Sequence, residues 1–97
     1  MITKNEILKT IQQHADDLKT YGVTKLGIFG SFARSTYGSK SDIDVLVEFG
    51  RGNKTFDNYM ELKFYLERLF HRKVDLVIKD ALKARIKDVV LSEVEYA

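Results

Sequence analysis

The run Asp42-Ile43-Asp44-Val45-Leu46-Val47-Glu48-Phe49 fits an extended strand with two unlike faces. Side chains alternate across a strand, so Ile43, Val45, Val47 and Phe49 share one face, and Asp42 and Asp44 share the other. A strand built for burial therefore opens with two like charges side by side. Aspartates two positions apart have Cα atoms about 6.6 Å apart. At an effective dielectric near 20, two carboxylates about 5 Å apart repel by roughly 3 kcal/mol. The pattern recurs in Val74-Asp75-Leu76-Val77-Ile78, where Val74, Leu76 and Ile78 turn one way and Asp75 the other. If the apolar faces of both strands pack beneath helices, all three carboxylates emerge on the opposite side. Repulsion of this size is large against a total stability on the order of 5 to 15 kcal/mol. Mg²⁺ or Mn²⁺ is the economical offset, since hard cations prefer oxygen ligands and bridge carboxylates to substrate phosphates.

A second feature precedes the acidic strand. Gly30 ends the apolar run Leu26-Gly27-Ile28-Phe29, and Ser31-Phe32-Ala33-Arg34 can open a helical turn. Backbone N–H groups and the Ser31 hydroxyl at such a turn can face phosphate oxygens, with Arg34 as a phosphate clamp. Tyr37 lies in the loop between the two motifs, where its ring can stack on a base or a partner.

Composition narrows the chemistry. The chain has no cysteine, which excludes disulfides and thiolate metal sites. His14 and His71 lack metal-ligand spacing, so any metal falls to the carboxylates. A net charge of +2 gives no support for direct nucleic-acid binding. No apolar run is long enough to span a membrane, and the N-terminal segment reads as a polar helix rather than a signal peptide, so a cytoplasmic location is expected.

The 97 residues suit one domain spanning 1–97. Thr3-Lys4-Asn5-Glu6 fits a capping box, and Ile7, Leu8, Ile11, Ala15 and Leu18 continue a helix until Tyr21-Gly22 stops it. Strands are predicted over 25–29, 42–49 and 73–78. Phe56, Tyr59, Met60, Leu66, Leu69 and Phe70 mark a second long helix. A last helix is predicted from about Leu82 to Ser92, with Asp80 as N-cap, and 93–96 as a brief edge strand or a tail. Helices alternating with strands predict an α/β (α+β) fold, a small mixed sheet with helices packed on one face.

Taken together, Gly30-Ser31, ten intervening residues, Asp42-Ile43-Asp44 and the later Asp75 resemble the nucleotidyltransferase superfamily with the DNA polymerase β-like fold. More narrowly, "LGIFGSFAR", "SDIDVLVEF" and "KVDLVIKDAL", in that order, resemble the minimal nucleotidyltransferases (MNT), the antitoxins of HEPN/MNT toxin–antitoxin modules. The chain departs from that family at Ser35, where many members carry Gly, and Gly38 lies further along the loop.

The resemblance implies that Asp42, Asp44 and Asp75 are catalytic metal ligands, with Asp75 nearest the incoming nucleophile. It implies that Gly30 and Ser31 hold the triphosphate of ATP, the substrate. The reaction implied is transfer of AMP with release of pyrophosphate, supported by two Mg²⁺ ions, or Mn²⁺ in their place. The acceptor implied is a tyrosine hydroxyl of a HEPN-domain toxin. Two alternatives remain open at this stage: a catalytically silent antitoxin that neutralises its toxin by covering it, and nucleotidyl transfer to a small molecule.

Overall fold

The computed structural model describes residues 2–97. Helix α1 (Lys4–Gln13) begins at Thr3, whose side chain accepts the Glu6 amide at 3.2 Å, as the capping pattern predicts. The predicted single helix is broken at His14, which has φ −109° and ψ 21°, and α2 (Ala15–Lys19) continues beyond it. A His14 ring nitrogen lies 2.8 Å from the Thr10 carbonyl, so the side chain takes up an acceptor at the break.

Strand β1 (Val23–Phe29) leads directly into the short helix α3 (Gly30–Arg34). After a loop come β2 (Ile43–Phe49), α4 (Phe56–Phe70) and β3 (Val74–Ile78). A 3-10 turn at Lys79–Ala81 precedes α5 (Ala84–Glu93), and β4 (Glu95–Tyr96) ends the fold. The last helix starts later than the sequence suggests, and Asp80 is not its N-cap. Asp80 sits inside the 3-10 turn, while Leu82 and Lys83 are extended, with ψ 131° and 144°.

The four strands form a mixed sheet in the order β3-β2-β1-β4. β1 runs antiparallel to both β2 and β4, whereas β2 and β3 are parallel and joined through α4. The long helix also fixes the edge strand. Tyr59 donates its hydroxyl to the Leu76 carbonyl at 2.7 Å, and Glu67 accepts the Val74 amide at 3.0 Å. Backbone groups of β3 that β2 does not satisfy thus find partners on α4.

Ile28, Val45 and Leu76 stand in register across the three long strands. With Ile43, Val47 and Val74 they pack beneath Ile7 and Ile11 of α1, Leu18 of α2, and Leu62, Leu66 and Phe70 of α4 in one buried cluster. The other face carries Phe29, Asp44 and Asp75 in one row and Gly27, Leu46 and Val77 in the next. This face is partly covered. Leu46 is fully buried on it, and a Cβ on Gly27 would meet Val94 Cγ2 at 2.9 Å, so the chain leaving α5 lies against the sheet there. Among the described residues, no helix is long and apolar enough to cross a membrane.

Helix α3 ends at Ser35 in the left-handed region, with φ 60° and ψ 31°. The chain makes its αL turn at Ser35, where many members of the resembling family carry Gly, and Gly38 does not replace it. An L residue is strained there. Replacing Ser35 with Gly is expected to gain about 0.5–1 kcal/mol. That corresponds to a Tm rise of about 2–8 °C in a domain of this size, followed by circular dichroism on heating. A fall in Tm would mean that a contact of the Ser35 side chain outweighs the strain.

Candidate active site

Parallel pairing of β2 with β3 sets Asp44 directly beside Asp75. The register is dictated by the apolar face, because a slip of either strand by one residue would carry its carboxylate into the core. Asp42 lies just before β2, exposed, at the end of the loop from α3. Asp75 is exposed and Asp44 half-buried. Burial first, then the charges of Asp75 and Asp42, push the Asp44 carboxyl up from 3.8 to about 6; Arg34 lowers it, and Glu93 raises it further. The three sequence-predicted carboxylates therefore act on one another, with Asp44 at the centre.

Gly30 stands at the junction of β1 and α3 with φ 70°. Its neighbour Phe29 pairs with Asp44 across the sheet, and a Cβ on Gly30 would overlap the Asp44 carboxylate. Both the backbone angle and the contact demand glycine. The turn is thus pressed against the central aspartate, with Ser31 half-buried at its first helical positions.

A fourth acidic residue, missed in the sequence reading, completes the site. Glu93, in the last turn of α5, accepts the Gly30 amide at 3.0 Å and the Arg34 guanidinium at 3.0 and 3.2 Å. The two groups assigned from sequence to a triphosphate share this carboxylate in the structure. One sequence signal for Glu93 existed: an acid at a helix C-terminus opposes the helix dipole and calls for positive partners nearby. Tyr37 does not offer its ring freely either, since it stacks on Phe32 with centroids 4.2 Å apart and planes 8° apart.

Among the described residues, no three acidic or imidazole groups are close enough to enclose a metal ion by themselves. The donor set nevertheless suits Mg²⁺. All its donors are oxygens, and Mg²⁺ commonly takes one or two carboxylates and completes its shell with water and substrate phosphates. A cation beside Asp44 would offset the neighbouring carboxylate charges that, after burial, raise its carboxyl.

The folded protein binds the Asp44 proton more tightly than the unfolded chain does. Stability therefore falls as pH rises from about 4 to about 6, and the full penalty persists above. A carboxyl raised from 3.8 to about 6 corresponds to about 3 kcal/mol, and solvent screening at this open site reduces that to about 1–2 kcal/mol. Without metal, Asp44→Asn is expected to raise Tm near pH 7 by about 4–8 °C per kcal/mol relieved, with the gain vanishing near pH 4. Scanning calorimetry across that range checks it, and a gain that grows toward acid would refute the assignment of the raised pKa.

Comparison with known proteins places this arrangement. The nucleotidyltransferase domain family matches residues 11–97. The protein adenylyltransferase MntA of Thermococcus cleftensis is 39% identical over 97 residues, an alignment that takes in 99% of this chain and 97% of the relative. The solved structure of a candidate minimal nucleotidyltransferase aligns with a TM-score of 0.83 at 29% identity, over 97% of this chain and 95% of that one. The fold is also shared with a structure of a tri-AMPylated Shewanella oneidensis HEPN toxin in complex with MNT antitoxin, at TM-score 0.59 and 19% identity, over 96% of this chain and 66% of the other. With a match over nearly its whole length, and with a Gly-Ser turn set against strand aspartates, the chain belongs to the nucleotidyltransferase domain family.

Proposed function

We propose that this protein is a metal-dependent adenylyltransferase that moves AMP from ATP to a tyrosine hydroxyl of a partner HEPN toxin, and so acts as an antitoxin. The observation that carries the reading is the pairing of Asp44 with Asp75 beside a Gly30 turn that has no room for a side chain. The similarity to an MntA protein adenylyltransferase supports the choice of a protein acceptor.

In this reading Asp42 and Asp44 would share one cation and Asp75 would hold a second, and Gly30, Ser31 and Arg34 bind the triphosphate. Bound Mg²⁺ neutralises phosphate charge and makes an acceptor hydroxyl easier to deprotonate. Asp75 is exposed on the edge strand, where a bulky acceptor can approach, and it takes the hydroxyl proton as general base. The acceptor oxygen forms a bond to the α-phosphorus as the bond to the bridging oxygen breaks, and pyrophosphate leaves with that electron pair. Arg34 exchanges the Glu93 carboxylate for phosphate oxygens when the triphosphate enters. The ion pair given up is partly exposed, at a cost on the order of 1 kcal/mol, and the Gly30 amide changes its acceptor in the same step. The use of ATP as substrate supports a cytoplasmic location.

Catalysis and simple covering differ in stoichiometry. Substoichiometric protein with ATP and Mg²⁺ is expected to inactivate excess toxin and to leave it heavier by one or more AMP units in mass spectrometry. Asp44→Asn and Asp75→Asn should each lower transfer by at least about 100-fold, a loss of about 2.7 kcal/mol of transition-state stabilisation, while toxin contact is retained. Silencing only at equal stoichiometry, without ATP and equally well by the variants, would replace the enzyme with a direct-binding antitoxin.

A further inference from the structure

The loop between α3 and β2 ends at Asp42, yet it contains no regular structure after Ser35. A turn at its tip is closed by two bonds: the Ser41 amide donates to the Gly38 carbonyl at 3.2 Å, and the Gly38 amide donates to Ser41 Oγ at 2.8 Å. Arg72, two residues before β3, spans to this turn. One of its terminal nitrogens donates to the Ser41 carbonyl at 2.8 Å and the Ser39 carbonyl at 3.2 Å, with the Gly38 carbonyl at 3.5 Å. Its guanidinium also lies over the Phe32 ring, 5.3 Å from the centroid, on the aromatic pair that Phe32 makes with Tyr37. Next to it, the Lys73 carbonyl accepts the Ile43 amide at 3.0 Å.

The segment 72–73 therefore binds both the loop that delivers Asp42 and the first residue of β2, just before its own strand delivers Asp75. We propose that Arg72 is a positioning residue that sets the place of Asp42 relative to Asp44 and Asp75, and that it acts through the loop carbonyls and the Phe32 ring, not by touching nucleotide. This rests on the reading of the three aspartates as a cation site. Carbonyl oxygens that would otherwise repel one another are drawn to one planar cation. Lysine can supply the charge but cannot stack or fork in the same way.

Two measurements test the assignment, one of which needs neither metal nor substrate. In the metal-free protein, Arg72→Gln is expected to speed amide hydrogen exchange at Ser41 by about tenfold or more, while Val45 and Val77, paired in the β2–β3 ladder, keep their protection. With ATP present, the Mg²⁺ concentration giving half of the ligand-induced rise in Tm should increase about 10-fold or more, the size typical of losing a partner that orients a metal ligand. Arg72→Lys should recover part of both effects. Unchanged exchange at Ser41, or faster exchange spread evenly over the core, overturns the proposal. So does lost Ser41 protection with an unchanged Mg²⁺ midpoint, which would leave Arg72 a brace for the loop alone. A wild-type protein whose Tm ignores Mg²⁺ and ATP overturns the cation-site reading itself, and the metal-free exchange measurement separates that failure from failure of the clamp.

Discussion

The packed apolar face of β2 and β3 is the constraint on which the rest of the structure depends, and it sets Asp44 beside Asp75 despite their mutual repulsion. Neither residue chooses its neighbour. The register is imposed by Ile43 against Val74 and Val45 against Leu76, whose side chains are buried beneath α1 and α4. Burying side chains of this kind is worth about 1.5–3 kcal/mol each, so a few of them outweigh the charge repulsion on the reverse face. The core supplies the force, and the carboxylates are pressed together as a result. α4 reinforces this from the edge, since Tyr59 and Glu67 hold the β3 backbone that carries Asp75.

Positive charge near this cluster is scarce and carefully tied. Arg34 is the cation that lowers the Asp44 carboxyl, and it is itself engaged by Glu93. A pair that is only partly exposed adds little stability. Its value is geometric: one carboxylate fixes both the Gly30 amide and the Arg34 guanidinium, so the strand-to-helix turn has a defined shape before any anion arrives. Gly30 allows this turn to approach Asp44, which brings the groups expected to bind phosphate and those expected to hold the cation within one small region.

Strand faces, the long helix and the acidic row were legible because they follow local periodicity. Val45 and Leu76 announce their burial by alternation, and Gly30-Ser31 announces a turn by composition. Contacts between distant parts of the chain left no such trace. Glu93 meets Gly30 across 63 positions, and Arg72 meets Ser41 across 31. Arg72 reads in isolation as an ordinary charged surface residue, and the placing of Glu93 at a helix C-terminus asks for a positive partner without saying which. The break at His14 and the late start of α5 escaped for a related reason, because apolar spacing continues through both places while the backbone does not. Ser35 is the reverse case. Its side chain gives no warning of a left-handed turn, and only the family resemblance pointed to that position.

Helix α5 is the least anchored of the three longer helices. Residues 84–89 are all exposed, including Ile86 and Val89, and Val90 is its one buried residue. Elements with so few buried contacts open locally at much lower free energy than the core does. The carboxylate that shapes the Gly30 turn is carried by this helix, so the turn inherits the breathing of α5 rather than the rigidity of the sheet behind it. Local opening of the C-terminal helix would loosen the Gly30 turn while the aspartates, fixed by the strands, stay where they are. Anything that clamps α5 from outside would quiet the turn some distance from its own point of contact.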